Sequence, residues 1–286
     1  MIPAAFDYAR ASTIEEALDL IRGADPSIRV LAGGQSLIPL MKLRLARPER
    51  LVDIGRLGEL RGFRDLPDGG LAIGALTTWA ALLEDARVGR YGALADAIPV
   101  IGDVQVRNRG TIGGSLAHAD PASDIAAPVL ALQLELVARS AARGERVLRA
   151  ADFFAGPFAT VLEPDEMLTE IRVPAAAPST ASAFQALPQP ASGYPIAGVA
   201  VALTQAKGDA TPTGCVIGVT GVGEQPYRAF DVERAVLEGA PFTEAVRAIA
   251  ADQRVASDIH ADRDYRTAMA VVMARRAFEA AADRLR

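Results

Sequence analysis

The hydrophobic and polar positions of the first 57 residues combine the helical period with short apolar runs, which predicts a small β-α-β unit. Thr13-Ile14-Glu15-Glu16 is typical of a capping box and predicts the start of the first helix. Gly23 is expected to end that helix. The elements expected here are a helix over 13–21, a strand over 28–32, a helix over 36–45 and a strand over 50–54.

The pattern changes most clearly over 174–182, where two prolines among small residues predict a linker. The stretch 101–123 is rich in Gly, Asn, Asp and Ser, and we expect an extended binding loop there rather than regular structure. After the linker, strands are followed by helices. Before the linker, the expected strands cover 71–74, 134–139 and 167–173, and the expected helices cover 78–84, 94–98 and 126–132. After it, the expected strands cover 183–186, 196–203 and 215–222, and the expected helices cover 232–237, 243–251 and 265–284.

Composition and charge narrow the class of protein. The chain has 286 residues, half of them apolar, which suggests two domains or one large domain in lobes. Its net charge of −5 does not favour binding to nucleic acid. No apolar run is long enough for a transmembrane segment, and the N-terminus lacks a signal-peptide pattern. A cytoplasmic location is therefore expected.

Few residues are suited to metal or covalent chemistry. Cys215 is the only cysteine, so the chain can form no internal disulfide and hold no iron–sulfur cluster, and we expect a buried, inert thiol. His118 and His260 have no partner at metal-ligand spacing, and no protein-bound metal is expected. The sequence also lacks GxGxxG, P-loop and GxSxG motifs, which does not support a Rossmann, P-loop or hydrolase assignment.

Candidate chemistry concentrates in two glycine segments. In the first, Gly33-Gly34 stands between a predicted strand and a predicted helix. Glycine permits positive φ and close approach to a ligand, and free N–H groups at a helix start suit a diphosphate. Ser36 either donates its hydroxyl to a phosphate or caps the helix. Taken alone, such a segment is more often a plain turn than an anion site.

The second segment repeats this combination at Thr111-Ile112-Gly113-Gly114-Ser115. Asp120 or Asp124 is suited to accept hydrogen bonds from sugar or ribityl hydroxyls. Two such segments, one in each lobe, suit a long dinucleotide lying between them, and a pair of turns is the alternative. Arg107 and Arg109 either pair with phosphates or a partner subunit, or are solvated.

At these segments the sequence resembles the FAD-binding medium subunits of the xanthine oxidase family of molybdenum hydroxylases. It looks most like the medium chains of carbon monoxide dehydrogenases and of N-heterocycle dehydrogenases such as nicotine or caffeine dehydrogenase. The resemblance extends from Ile2-Pro3 to Asp264-Tyr265-Arg266-Thr267-Ala268. It implies an α+β fold: a two-lobed FAD-binding domain of the vanillyl-alcohol oxidase type over 1–175, with lobes at about 1–57 and 58–175. A smaller α+β C-terminal domain, a sheet plus helices, would cover 176–286.

The resemblance also implies which residues bind FAD. The two glycine segments would hold the diphosphate, Asp124 would be an acidic contact, and Ile101 and Leu168 would be apolar contacts to the flavin. Tyr194 lies either near the isoalloxazine ring or in a turn. No catalytic residue is expected in this chain. The full set of expected cofactor-binding residues is Ala32, Gly33, Gly34, Gln35, Ser36, Leu37, Ile101, Thr111, Gly113, Gly114, Ser115, Ala117, Asp124, Leu168 and Tyr194.

The implied function is electron transfer within a heterotrimeric molybdenum hydroxylase. A large subunit would carry the molybdenum cofactor and a small subunit two [2Fe–2S] clusters, and FAD in this chain would pass electrons to an external acceptor. Two such trimers would form a heterohexamer. The alternatives are a self-contained flavin oxidase of the vanillyl-alcohol oxidase type and a non-redox nucleotide-binding subunit. Gln35, Ser115 and Gln185 differ from residues common in carbon monoxide dehydrogenases, which suggests another substrate or acceptor.

Overall fold

The computed structural model describes residues 2–23, 25–206 and 211–286, and it begins with a small parallel sheet. The elements around this sheet are β1 (Asp7–Arg10), α1 (Ile14–Leu20), β2 (Ile28–Leu31), α2 (Leu37–Lys42) and β3 (Arg50–Asp53). The strand order of this first sheet is β1-β3-β2. The capping box of α1 is confirmed, because the Thr13 hydroxyl accepts a hydrogen bond from the Glu16 amide at 3.1 Å. Strand β1 was not predicted, since it is largely exposed and carries no apolar run.

The second sheet is antiparallel and is covered by five short helices. Its strands are β4 (Phe63–Asp65), β5 (Leu71–Gly74), β6 (Glu135–Ser140), β7 (Gly144–Arg149) and β10 (Glu166–Val173), in the order β4-β5-β10-β6-β7. The helices are α3 (Trp79–Glu84), α4 (Gly92–Ala97), α5 (Val104–Arg109), α6 (Ile112–His118) and α7 (Ala126–Ala131). A separate hairpin is formed by β8 (Phe154–Gly156) and β9 (Ala159–Thr160). The core under these helices contains the fully buried rings of Trp79 and Phe153.

The third sheet is a four-stranded antiparallel meander. Its elements are β11 (Thr180–Pro188), β12 (Pro195–Thr204), β13 (Gly214–Thr220), β14 (Tyr227–Arg228), α8 (Phe230–Leu237), α9 (Phe242–Ala245) and α10 (Arg263–Leu285). Strand β12 is buried along almost its whole length, because α10 contacts this sheet as do α4 and α7. Cys215 is buried in β13, as predicted, and burial raises the pKa of its thiol to about 12. Among the residues described, no helix is long and apolar enough to cross a membrane.

The α+β fold class is confirmed, but the prediction of an extended loop over 101–123 is wrong. This stretch forms α5 and α6. Asp103 caps α5 by accepting a hydrogen bond from the Val106 amide at 2.8 Å, and Thr111 caps α6. Helices of six or seven residues are too short to show a clear helical period in the sequence. The predicted linker over 174–182 is also too long, because β11 already begins at Thr180.

Small side chains let the helices of the second sheet approach the third sheet closely. We call this contact the alanine-lined interface; its residues are Ala93, Ala97, Ala127, Ala131, Phe184 and Ala200. An ion pair of 2.7 Å between Arg284 and Asp96 lies beside it, and Asp96 also accepts a hydrogen bond from the Phe184 amide at 3.0 Å. At Gly218 of β13 an added Cβ would lie 2.1 Å from the carbonyl oxygen of Ala127 in α7. The backbone of α7 therefore contacts β13 directly at Gly218, and the gap between them has no room for a methyl group.

The alanine-lined interface gives a testable prediction. Gly218→Ala should lower the free energy of unfolding by about 1–3 kcal/mol, because α7 must move away from β13 to admit the new methyl group. Gly89→Ala is the matched control, since a Cβ there meets nothing within 4 Å. Chemical denaturation of the two variants and the unchanged chain measures the difference. Equal stability of the two variants would contradict this account of the interface.

Candidate functional site

The first glycine segment is the turn between β2 and α2. Gly34 has φ of +75°, a left-handed conformation that glycine adopts without strain. Ser36 immediately precedes α2, but its side chain makes no capping hydrogen bond. Of the two roles that the sequence left open for Ser36, capping is therefore excluded, and the hydroxyl is free to bind a ligand. Gln35 is exposed, and Leu37 is the first residue of α2.

The second glycine segment consists of Thr111, the N-cap of α6, and the first four residues of that helix. The Thr111 hydroxyl accepts a hydrogen bond from the Gly114 amide at 3.2 Å, and the Ser115 hydroxyl lies 3.2 Å from that of Ser123. Gly113 packs against protein: its amide donates to the carbonyl of Ala75 at 2.9 Å, and an added Cβ would lie 2.6 Å from the Ala75 methyl. Gly113 thus allows α6 to pack on the second sheet. Ala117 is exposed on α6.

The two glycine segments lie directly against each other. An added Cβ on Gly33 would be 2.1 Å from the carbonyl oxygen of Arg109 and 2.9 Å from the Cα of Gly110. A Cβ added to Gly114 would be 3.5 Å from the methyl of Ala32. Segments from the first and second sheets, about 75 residues apart in sequence, therefore form one continuous surface made mostly of backbone.

A small polar cleft opens where the segments meet. Its volume is about 80 Å³, against roughly 300–1,000 Å³ for a pocket that encloses a drug-sized ligand. The cleft can enclose a phosphate group, and the rest of a dinucleotide would have to lie along the surface. The lining residues are Ala32, Gly33, Gly55, Arg61, Leu76, Thr78, Asn108, Arg109 and Thr111.

Two arginines give the cleft positive charge, and only one of them was considered from the sequence. Arg109 lies at the end of α5, whereas Arg61 comes from the chain before β4 and donates a hydrogen bond to the carbonyl of Gly55 at 2.6 Å. Arg61 was missed because nothing in its local sequence indicates a binding residue. Arg107 points elsewhere, since it donates to the carbonyls of Ile101 and Gly102.

Asp124 is a buried carboxyl group with no side-chain partner. It is 7 % exposed, and no other side chain among the described residues hydrogen-bonds to it. Burial raises the pKa of Asp124 to about 7, and the negative charge of Asp120 adds to this effect. The backbone amide of Asp124 donates a hydrogen bond to this carboxyl group. A carboxylate has about four acceptor sites, so Asp124 can also accept a hydrogen bond from a hydroxyl-bearing ligand.

Tyr194 lies near this acidic pair. Burial, together with the negative charges of Asp120 and Asp124, raises the pKa of its phenol. Tyr194 is nevertheless 46 % exposed, so part of the residue is accessible to a ligand. His118 packs its ring against Phe158 with 5.2 Å between centroids, and burial lowers the pKa of His118. The His118 ring is thus held by its packing against Phe158.

The remaining two expected contacts, Ile101 and Leu168, belong to the core of the second sheet. Leu168 is 5 % exposed within that core, and Ile101 is partly buried against it. Both side chains pack in the core and do not line the polar cleft. The structure therefore divides the expected residues into a backbone-lined cleft, a buried acid beside a tyrosine, and an apolar wall.

These features fit FAD, the cofactor expected from the sequence. The uncapped hydroxyl of Ser36 and the two arginines suit the diphosphate, and Asp124, to which no other described side chain hydrogen-bonds, suits a ribose or ribityl hydroxyl. The absence of side chains at Gly33 and Gly114 lets the two segments pack closely enough to offer one surface to a ligand. No feature of the described site conflicts with a dinucleotide of this kind.

Two family models match the chain. The model described as the FAD binding domain in molybdopterin dehydrogenase matches residues 4–176. The model described as the CO dehydrogenase flavoprotein C-terminal domain matches residues 182–281. Together they cover nearly all of the sequence.

Individual proteins show the same similarity over their whole length. The chain is 39 % identical to the carbon monoxide dehydrogenase medium chain of Hydrogenophaga pseudoflava, covering 98 % of each. It is 38 % identical to the glyceraldehyde dehydrogenase medium chain of Sulfolobus acidocaldarius, covering 93 % of this chain and 92 % of the other. A solved structure of carbon monoxide dehydrogenase from Hydrogenophaga pseudoflava, which lacks the Mo-pyranopterin moiety, superimposes with a TM-score of 0.93 at 40 % identity, covering 99 % of both chains.

The contact at Gly33 gives a second testable prediction. Gly33→Ala should weaken FAD binding about tenfold or more, because a methyl group 2.1 Å from the Arg109 carbonyl forces the two glycine segments apart. Gly58→Ala is the control, since its added Cβ meets nothing within 4 Å. Fluorescence titration of the FAD-free chain with FAD measures both affinities. Wild-type affinity in folded Gly33→Ala would mean that the cofactor does not depend on this contact.

Proposed function

We propose a route by which electrons pass through this chain, which belongs to the family of FAD-binding subunits of molybdopterin dehydrogenases. The resemblance seen in the sequence is thereby confirmed. The chain is an oxidoreductase flavoprotein, the FAD-binding electron-transfer subunit of a molybdenum-dependent hydroxylase complex. Its medium-chain relatives imply a large and a small partner subunit.

The placement of FAD on this chain is the central part of the proposal. Residues 32–36 and 111–115 hold the diphosphate, with Arg61 and Arg109 neutralising its charge. Asp124 accepts a hydrogen bond from a cofactor hydroxyl. The observation that carries this placement is the backbone contact between Gly33 and Arg109–Gly110, which makes one binding surface from two distant segments.

The flavin end lies against Ile101, Leu168 and Tyr194 in this proposal. The bound flavin supplies the redox chemistry, and the protein binds, orients and shields it. The apolar side chains exclude water from one side, and the exposed part of the Tyr194 ring covers the flavin on another. No side chain of this chain acts as a general acid or base.

The partners set the direction of electron flow. Electrons arrive from [2Fe–2S] clusters of the small subunit, after a molybdenum cofactor in the large subunit has oxidised the substrate, and leave FAD for an external acceptor. Relatives of almost equal identity carry carbon monoxide and glyceraldehyde in their names, which agrees with substrate choice by another subunit. We further propose a domain boundary near residue 175, a cytoplasmic location and a heterohexamer of two trimers.

A self-contained flavin oxidase is less well supported. Such an enzyme would need a residue beside the flavin that acts as a base or forms a covalent bond. His118, the histidine nearest the second glycine segment, packs its ring against Phe158. A non-redox nucleotide-binding subunit is not favoured either, since both family models describe flavoproteins.

Reconstitution tests the electron route. The chain purified alone should bind FAD and turn yellow, yet its flavin should stay oxidised when the substrate of the complex is added. Adding the large and small subunits should restore bleaching of the flavin's visible absorption by the substrate. Bleaching by the substrate without the partners would overturn the proposal in favour of a self-contained oxidase, and a colourless chain that takes up no FAD would favour a non-redox subunit.

Asp124 gives a prediction on pH. Its pKa is about 7 in the FAD-free chain, and an ionised carboxylate accepts a hydrogen bond more strongly than a neutral one. FAD affinity should therefore rise as the pH increases from about 6 to about 8, through the pKa of Asp124. The pKa of Tyr194 is raised, so its phenol titrates above this window, and the pKa of His118 is lowered by burial, which moves its titration away from pH 8.

Asp124→Asn is the matched variant for this test, since it keeps the shape and removes the charge. Its FAD affinity should be lower than that of the unchanged chain at pH 8 and should not vary with pH over the same interval. Fluorescence titrations across the pH series provide the measurement. A pH slope that persists in the Asn variant would assign the dependence to another group.

A further inference from the structure

The end of β13 holds the loop that leads into Asp124. The Thr220 hydroxyl lies 2.9 Å from the carbonyl oxygens of both Pro121 and Ser123, which share its one donated hydrogen. The amide of Gly221 donates to the Pro121 carbonyl at 2.8 Å. Thr220 is completely buried, so water does not compete for these hydrogen bonds. The third sheet thereby fixes the backbone immediately before the proposed cofactor acid.

The same loop is connected to the second glycine segment. The hydroxyl of Ser123, whose carbonyl accepts from Thr220, lies 3.2 Å from the hydroxyl of Ser115 in the first turn of α6. A shift of residues 121–123 would therefore move Asp124, which follows them, and would disturb the contact between Ser123 and Ser115. Asp124 and Ser115 both belong to the proposed FAD site.

The other segment held at this point begins at Tyr194. Gly221 has φ of +75°, and an added Cβ would lie 2.4 Å from the carbonyl oxygen of Pro195. Arg266 of α10 donates to the carbonyls of Ile196 at 2.9 Å and of Gly221 at 2.6 Å. Gly221 therefore contacts the residues that follow Tyr194 as well as the loop before Asp124.

Arg266 gives this junction a defined geometry. Its side chain is buried, and its second terminal nitrogen donates to the Asp258 carboxylate at 2.7 Å. Its Nε has no hydrogen-bond partner among the described residues, so the two terminal nitrogens make all its hydrogen bonds, and the planar guanidinium holds their three acceptors at fixed angles. The two cofactor-facing segments consequently have one common anchor and do not move independently.

We propose that Thr220, Gly221 and Arg266, which we call the β13 clamp, are positioning residues for FAD. They act through Asp124 and Tyr194 and do not themselves touch the cofactor. The third sheet then completes a binding site whose other parts lie on the first two sheets. This inference rests on the proposed placement of Asp124 and Tyr194 beside FAD.

Substitution of Thr220 tests the clamp in the full chain. Thr220→Val keeps the shape but removes the donor to two carbonyls, and it should weaken FAD binding about tenfold and change the visible spectrum of the bound flavin. Thr220→Ser retains the hydroxyl and should restore both properties. Thr180→Val is the control, because it removes a hydroxyl pair with Thr204 at 3.0 Å elsewhere in the same sheet. Unchanged affinity and spectrum in Thr220→Val, or an equal change in Thr180→Val, would overturn the proposal.

Hydrogen exchange of the unchanged chain provides a second measurement, which does not depend on a variant that folds. FAD should slow exchange of the Gly221 amide, because the cofactor stabilises the loop to which this amide donates. The Thr213 amide, which donates to the Thr204 carbonyl beyond the other end of β13, should be unaffected. If FAD binds and Gly221 gains no protection, the clamp does not transmit cofactor binding.

Asp124→Asn separates failure of the clamp from failure of the proposed site. If this variant binds FAD as tightly as the unchanged chain at pH 8, the placement of Asp124 is wrong, and the clamp has no role through it. If Asp124→Asn weakens binding and Thr220→Val does not, the site stands and the clamp alone is wrong. Weakening by both, with rescue by Thr220→Ser, supports the proposal.

Discussion

The closest packing in the proposed site is between main chains, at the point where Gly33 meets Arg109 and Gly110. At this contact the added methyl of any other residue would lie 2.1 Å from a carbonyl oxygen. The turn after β2 and the turn before α6 can share one surface only because neither presents a side chain there. The polar cleft, the free Ser36 hydroxyl and the arginines around it all depend on that approach.

Local rules predicted much of the fold. The Thr13 capping box marked the start of α1, and the apolar runs predicted the central strands of the second and third sheets within a few residues, but not β4, β7 or β14. Failures occurred where tertiary contacts decide the structure. Strand β1 has no apolar run and is held by parallel pairing with β3, and α5 and α6 are stabilised by caps at Asp103 and Thr111 rather than by their own length.

The site was predictable where glycine and hydroxyl residues stand together, and unpredictable where the fold brings in residues from a distance. The sequence could not show that Gly113 serves packing against Ala75 while Gly114 faces Ala32. Arg61 carries no local signal, and Thr220 comes from a strand about 100 residues beyond the loop it holds. The environment of Asp124 was equally hidden, because burial of a carboxyl group is a property of the folded chain.

The alanine-lined interface has a consequence for the rate at which electrons cross the complex. Alanine loses no side-chain rotamer freedom on burial, so the two layers meet at one separation and cannot readjust by changing rotamers. Tunnelling between redox centres slows steeply as the gap between them widens. A rigid contact between these layers keeps Tyr194, which precedes β12, at a constant distance from Asp124, which precedes α7, so it limits how far a flavin bound between them could shift relative to its redox partners.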